Sequence, residues 1–307
     1  MSTALLFPGQ ASQTVGMGRD LYESFDLAKD MFSTAGAILG FDLKEICFNG
    51  PMQSLTQTRV TQPALFVVSS ILSRLLMDHG FEFKAVAGHS LGEYSALYAA
   101  SVFSFEEGLE LVKLRAESMQ EAGERNPGTM AAILNLEPEK VEEACEAASR
   151  MGVVNVANYN SPGQIAISGA TEAVQEAMNI AKTLGAKRAL QLEVGGAFHS
   201  PLMQYATGKL REGVEALTLK DPDRDVYQNV DARIHRSGAE IAANLIGQIE
   251  NPVLWVDIIR NMKADGITKC IEVGPGKVLQ GLVKRIEPEM QLDGIANVTD
   301  LDAVGIH

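Results

Sequence analysis

The segment Gly88-His89-Ser90-Leu91-Gly92 has the residue types and spacing of a nucleophile carried on a sharp turn. Glycines two before and two after a serine permit a tight passage from strand to helix that turns the hydroxyl outward. The segment stands between an apolar run, Lys84–Gly88, and the helix-forming stretch Leu91–Ala100. The Leu91 N–H then lies at a helix N-terminus, where orphan donors and the dipole favour negative charge. The same residues also suit a structural turn with a helix-capping serine.

A serine nucleophile needs a base. Of five histidines, His307 is terminal, His79 ends a polar helical turn and His235 lies in the charged stretch Asp231–Arg236. His89 is expected to point away from the elbow. His199 remains, in a loop of small residues, Gly195-Gly196-Ala197-Phe198, that opens a helix at Ser200-Pro201. A capping or core histidine is the alternative there. No Asp or Glu between Ser90 and His199 stands out as a third member. A Ser–His dyad is therefore expected, with the imidazole oriented by a neutral group and titrating near ~6.5.

Arg115 could serve an anionic substrate. A planar guanidinium holds a carboxylate at two points in a dry pocket. With Lys113 and Glu117 nearby it also reads as a solvated helix arginine.

These residues need a scaffold, and apolar periodicity supplies one. Ala4–Phe7 reads as a buried strand stopped by Pro8-Gly9, and helical periodicity follows over Leu21–Leu39 and Val60–Met77. Ser104-Phe105-Glu106-Glu107 resembles a capping box that opens a helix through Arg115 and Met119. From Thr129 the order becomes strand Met130–Leu136, helix Pro138–Arg150, strands Val153–Asn158 and Ile165–Ser168, helix Glu172–Leu184 and strand Arg188–Val194. That is the β-α-β-β-α-β order of a ferredoxin-like unit. Residues 128–195 are thus expected to form a small inserted subdomain, with 1–127 and 196–307 forming a large α/β domain. After the insert come Pro201–Leu217, Val226–Val230, Ile241–Ile249, Trp255–Lys263, Cys270–Val273 and Val278–Arg285, helices and short strands that suit an α/β sheet.

Composition narrows the function classes. The chain has 307 residues, 46% hydrophobic and 21% charged, with a formal net charge of −13. Such a balance suits a globular fold and disfavours nucleic-acid binding or attraction to an anionic membrane. Cys47, Cys145 and Cys270 are far apart and form no CxxC pair, so neither a zinc site nor a disulfide framework is expected. They read as buried thiols in a reducing compartment. MSTALLFPGQ lacks the basic region of a signal peptide, and no stretch is expected to approach the ~20 apolar residues of a membrane span. A cytoplasmic protein is expected.

Seven segments in order resemble the malonyl-CoA:acyl carrier protein transacylase family across essentially the whole chain. They are Phe7–Gln13, Gly88–Tyr94, Arg115 with Met119, Asn158–Gln164, Gly196–Ser200, Gln248 before Asn251-Pro252-Val253, and Glu272–Gly276. The resemblance implies an α/β fold, a hydrolase-like core with a short parallel sheet plus an inserted ferredoxin-like subdomain. It implies Ser90 as nucleophile, His199 as base, the Gln248 carbonyl as holder of the imidazole, and the Gln10 and Leu91 N–H groups as oxyanion hole. Arg115 with Met119 is implied to bind the malonyl carboxylate end, and Phe198 resembles members that exclude a branched methylmalonyl group. Asn160 is a candidate for lining the acyl pocket. One departure is visible: Ala11 stands where the family usually has glycine, which strains the oxyanion loop if that position needs positive φ.

The implied activity is ping-pong transfer of malonyl from malonyl-CoA to the phosphopantetheine thiol of acyl carrier protein, for fatty-acid or polyketide synthesis. A thioester hydrolase on the same scaffold is the alternative. No metal or redox cofactor is implied, and malonyl-CoA is a substrate. The expected partners are the carrier protein and the CoA thioester, with no nucleic acid and no membrane, and the protein is expected to be a monomer. CoA and the carrier are both anionic, so a basic rim is needed, with Lys182, Lys187, Arg188, Lys277, Lys284 and Arg285 as candidates.

Overall fold

The structure is a computed structural model that describes residues 2–307. Two sheets organise it. The first has the order β10-β9-β1-β2-β7-β8, with β1 Thr3–Phe7, β2 Ala85–Gly88, β7 Asp225–Tyr227, β8 Ile234–His235, β9 Lys269–Val273 and β10 Gln291–Ile295. All its pairings are parallel except the short β7–β8 hairpin. Alternation along β1 explains its burial on both faces. Leu5 and Phe7 enter one apolar core, while Ala4 and Leu6 enter a second on the opposite face.

The second sheet is antiparallel, order β4-β5-β3-β6, with β3 Gly128–Leu134, β4 Val154–Ser161, β5 Gln164–Ala170 and β6 Arg188–Gln191. This is the ferredoxin-like order. Ala131, Ile133, Val156, Ile165 and Ile167 pack under helices Pro138–Ala148 and Thr171–Thr183, while Met130 and Ala166 turn to the other face. Among the described residues one isolated backbone bridge links this sheet to the rest of the chain: Asn158 pairs with Val253, Tyr159 N–H donates to Val253 O at 3.0 Å, and Val253 N–H donates to Ala157 O at 2.9 Å.

Several boundaries differ from the periodicity. Leu21–Leu39 is two helices, Arg19–Ser24 and Asp26–Leu39, broken where Phe25 adopts an extended backbone. Val226–Val230 is cut to Asp225–Tyr227, because Gln228 and Asn229 leave the strand to make buried side-chain bonds. Strand β10 is absent from the sequence reading, its polar residues Gln291 and Asp293 suiting an edge position. The expectation about membrane spans also fails: helix Thr58–Asp78 has 21 residues and a mean hydropathy of 1.4, long and apolar enough to cross a membrane. Thr, Ser and Gln side chains interrupt its apolar run, and 89% of its most apolar window is buried inside the protein.

Helix Phe105–Arg125, which carries Arg115, starts with a complete capping box. Glu107 N–H donates to Ser104 Oγ at 3.2 Å and Ser104 N–H to Glu107 Oε2 at 2.7 Å. Such a cap stabilises the helix by about 1 kcal/mol and fixes its starting register, which puts Arg115 and Met119 one turn apart on the inward face.

Candidate active site

The parallel strands end together, and the loops that follow them meet. In register, Phe7 of β1 pairs with Gly88 of β2, and Ala87 of β2 with Tyr227 of β7. Gln10, Ser90 and Asn229 therefore leave neighbouring strands at one edge of the sheet.

The glycines of the turn are required by close approach. A Cβ on Gly88 would lie 1.8 Å from the Gly92 carbonyl carbon, and one on Gly92 would lie 2.0 Å from Phe7 O. Between them Ser90 takes a left-handed backbone, φ 52°. Its hydroxyl stands 2.8 Å from His199 Nε2.

His199 Nδ1 faces two main-chain carbonyls, Gln248 O at 2.9 Å and Asn251 O at 3.0 Å. Both can only accept, so Nδ1 carries the proton and the Nε2 lone pair faces Ser90. No carboxylate takes part. The imidazole is buried, and burial pushes it down to about 3, with the nearby Arg115 charge acting in the same direction. This overturns the expected ordinary titration near ~6.5, a value that belongs to a hydrated ring.

Arg115 is 1% exposed, which excludes a solvated helix arginine. Nη1 donates to Gln62 Oε1 at 2.7 Å, and Nη2 donates to Gln248 Oε1 at 2.9 Å and to Ser90 Oγ at 3.0 Å. The guanidinium lies over the Tyr94 ring, 5.5 Å from its centroid. Its Nε has no partner, and among the described residues no carboxylate forms an ion pair with it. Burial lowers its pKa, yet a guanidinium keeps its charge at ordinary pH. Glu93 is the nearby buried carboxyl that favours the charge, but it is not in ion-pair contact, so the guanidinium keeps a direct site for an anion.

A cavity of about 310 Å³ opens over these groups. Gln10, Ser90, Leu91, Arg115, Met119, Phe198, Asn160 and His199 all line it, whereas Gln248 lies behind the wall, fully buried. Met130 and Ala166 of the antiparallel sheet close the opposite side. Asn160 has its Oδ1 2.8 Å from His89 Nε2, so the His89 ring is turned to the cleft wall and not to Ser90 Oγ. The Gln10 and Leu91 N–H groups have no acceptor among the described residues, and both border the cavity. Next to Gln10, Ala11 has φ 83°, and its N–H donates to Gln13 Oε1 at 2.8 Å. The departure from glycine at this position is thus a strained one.

Three residues of the site escape sequence reasoning. Gln62 holds Arg115 through Oε1 and reaches Met119 Sδ through Nε2 at 3.5 Å. Glu93 is buried behind the turn, accepts from Asn229 N–H and Gln228 Nε2, and burial pushes its carboxyl up to about 7. Asn229 bonds the turn itself. A polar residue inside an apolar helix, such as Gln62 or Glu93, was the available signal. The cysteines do not compete as nucleophiles: all three are free and buried, and burial pushes each thiol up to about 12. Among the described residues no cluster of three or more His, Cys, Asp or Glu could hold a metal.

Comparison with known proteins adds independent findings. Residues 4–300 match the acyl transferase domain family. The chain is 44% identical over 284 residues to a malonyl CoA-acyl carrier protein transacylase of Escherichia coli O157:H7, covering 92% of each chain. An acyl carrier protein S-malonyltransferase from Vibrio cholerae has a similar structure, with a TM-score of 0.95 at 42% identity over 99% of this chain and 100% of that one. A malonyl-transacylase solved in complex with its type II PKS acyl-carrier protein superposes with a TM-score of 0.95 at 38% identity, covering 99% of this chain and 98% of that one.

Proposed function

Because the chain belongs to the acyl transferase family, we propose that it moves a malonyl group from coenzyme A to an acyl carrier protein through an ester on Ser90. The observation that carries this reading is the buried Arg115 guanidinium, without a counter-carboxylate and 3.0 Å from the nucleophilic oxygen. A malonyl thioester brings the missing anion. A neutral acyl group would leave the cation buried and unpaired, which argues against a hydrolase that clears ordinary acyl chains.

Ser90 Oγ attacks the thioester carbonyl while its proton passes to His199 Nε2. Two main-chain carbonyls on Nδ1–H support the imidazolium that results. The oxyanion forms beside the free N–H groups of Gln10 and Leu91. Its collapse breaks the C–S bond, and the departing thiolate takes the proton back from Nε2. The carrier's phosphopantetheine thiol then repeats these steps in reverse on the malonyl ester. Met119 and Phe198 bound the acyl end, and Asn160, held by His89, closes the rim.

The carrier protein is the second substrate, as in the complex of the similar transacylase. Near the cleft, Lys277 precedes the lining residues Val278 and Leu279, and Arg285 donates to Gln164 Oε1 at 2.6 Å on the opposite wall. These cations suit the anionic partners despite the net charge of −13. Three free thiols fit a reducing compartment, and we place the reaction in the cytoplasm, where its product serves fatty-acid or polyketide assembly.

The test is product analysis with purified protein, labelled malonyl-CoA and holo carrier protein. The label is expected on the carrier. Release as free malonate, with none on the carrier, would replace the transferase by the hydrolase.

A further inference from the structure

The left-handed backbone of Ser90 is held by a residue that takes no part in proton transfer. Asn229 follows β7, is fully buried, and does not border the cavity. Its Oδ1 accepts Ser90 N–H at 2.7 Å, and its Nδ2 donates to Gly88 O at 2.7 Å. One planar amide therefore bonds the backbone on both sides of the turn. Its own N–H donates to Glu93 Oε2 at 2.7 Å, and Glu93 Oε1 accepts from Gln228 Nε2 at 3.1 Å. The Asn229 carbonyl accepts from Leu254 N–H at 3.0 Å.

This arrangement determines where Oγ points. φ at Ser90 is in a region that residues other than glycine avoid, so local preference alone would let the turn relax. A relaxed turn would swing Oγ away from His199 Nε2 and rotate the Leu91 N–H that follows it. Asparagine is the side chain that supplies an acceptor and a donor from one rigid plane at this spacing.

We propose that Asn229, oriented by Glu93, is a positioning residue for acyl transfer, setting the direction of Ser90 Oγ and of the Leu91 N–H without touching substrate. The proposal rests on the reading of Ser90 as the acylated residue. It assigns Asn229 to the rate of ester formation and not to the binding of malonyl-CoA.

The substitution Asn229→Asp separates these roles. A protonated aspartic acid keeps both bonds, its C=O accepting from Ser90 and its O–H donating to Gly88. An aspartate can only accept, and it would face the Gly88 carbonyl oxygen without a donor. Glu93, Arg115, His199 and His89 face this region, and Asp231 and His235 lie in the following turn. Glu93 accepts the Asn229 N–H and is itself pushed up to about 7, so both profiles are repeated in a Glu93→Gln background, where the difference that remains belongs to the substituted residue.

Single-turnover formation of malonyl-Ser90 is followed by rapid quench and intact mass, and malonyl-CoA affinity is measured in the Ser90→Ala background. Asn229→Ala is expected to slow ester formation about tenfold to a hundredfold while affinity changes less than about twofold. The deficit of Asn229→Asp is expected to shrink as the pH falls from about 8 to about 6. Equal losses of rate and affinity, or an Asn229→Asp deficit that does not change with pH, would overturn the proposal. So would failure of both variants to fold, which would make Asn229 a structural residue only. Absence of a malonyl ester on wild-type Ser90 would instead overturn the reading beneath it.

Discussion

Arg115 Nη2 donates to Ser90 Oγ across 3.0 Å, while His199 Nε2 stands 2.8 Å from the same oxygen on another side. The hydroxyl thus lies between a permanent cation and a base before any substrate arrives. A positive charge at that distance favours the alkoxide character that develops during attack. In the proposed mechanism Oγ becomes an ester oxygen and a poorer acceptor, which would free the guanidinium for the carboxylate two carbons beyond the ester carbonyl.

Removing the guanidinium strands that carboxylate in a desolvated pocket. Breaking such a pair costs about 3–5 kcal/mol, so Arg115→Ala is expected to lower kcat/KM for malonyl-CoA roughly a hundredfold to several thousandfold. Acetyl-CoA has no carboxylate, and its weak turnover should change little. Arg115→Lys should lose much of the preference as well, because an ammonium lacks the planar two-point grip. A malonyl-to-acetyl ratio unchanged in Arg115→Ala would sink the assignment.

Incubation with malonyl-CoA alone should leave a malonyl mass on the peptide that contains Ser90. Ser90→Ala should carry none, and His199→Ala should form the adduct about a hundredfold more slowly or worse. Labelling that persists in Ser90→Ala would place the nucleophile elsewhere.

Burial pushes His199 down to about 3, so its folded value lies below that of a hydrated imidazole. The neutral, proton-accepting form therefore dominates throughout the neutral range and is lost only as the pH falls toward that lowered value. On this basis kcat/KM for malonyl-CoA should show no limb attributable to His199 between about pH 5 and about pH 8. Rates measured at constant ionic strength test this. A limb near ~6.5 would show that the ring is hydrated in the working enzyme.

Ala11 at φ 83° carries a left-handed penalty of about 1–2 kcal/mol, whereas glycine loses about 0.5–1 kcal/mol through the unfolded chain. The first effect exceeds the second. Ala11→Gly should therefore stabilise the protein by about 0.5–1 kcal/mol, a rise of about 1–3 °C in Tm. A fall in Tm on thermal scanning would mean that the loop holds Ala11 without strain.

Ser90 and His199 were legible as candidates because their chemistry depends on local patterns, a glycine-flanked serine and a histidine in a small-residue loop, whereas Arg115 read equally as a solvated helix arginine until the resemblance singled it out. Phe198, Met119, Gln10, Leu91 and Asn160 came through resemblance, and all border the cavity. Asn229 was not legible, because it sits in no pattern of its own, and Gln62 offered only a polar side chain in an apolar helix, which does not name its partner. Asn229 acquires its partners only when β7 pairs with β2, and Gln62 only when its helix packs on Phe105–Arg125. The lowered titration of His199 was hidden for the same reason, since burial is a tertiary property. Strand β10 was lost among its polar residues, and the apolar character of Thr58–Asp78 among its hydroxyls.

The stitch at Val253 has a mechanical consequence. Two residues before it, the Asn251 carbonyl holds His199 Nδ1, and three residues before Asn158 the Asn155 amide donates to His199 O at 2.9 Å. The seam between the two sheets and the mount of the base are therefore geared together. An acyl group bulky enough to force the seam apart would turn the imidazole away from the oxygen it must activate.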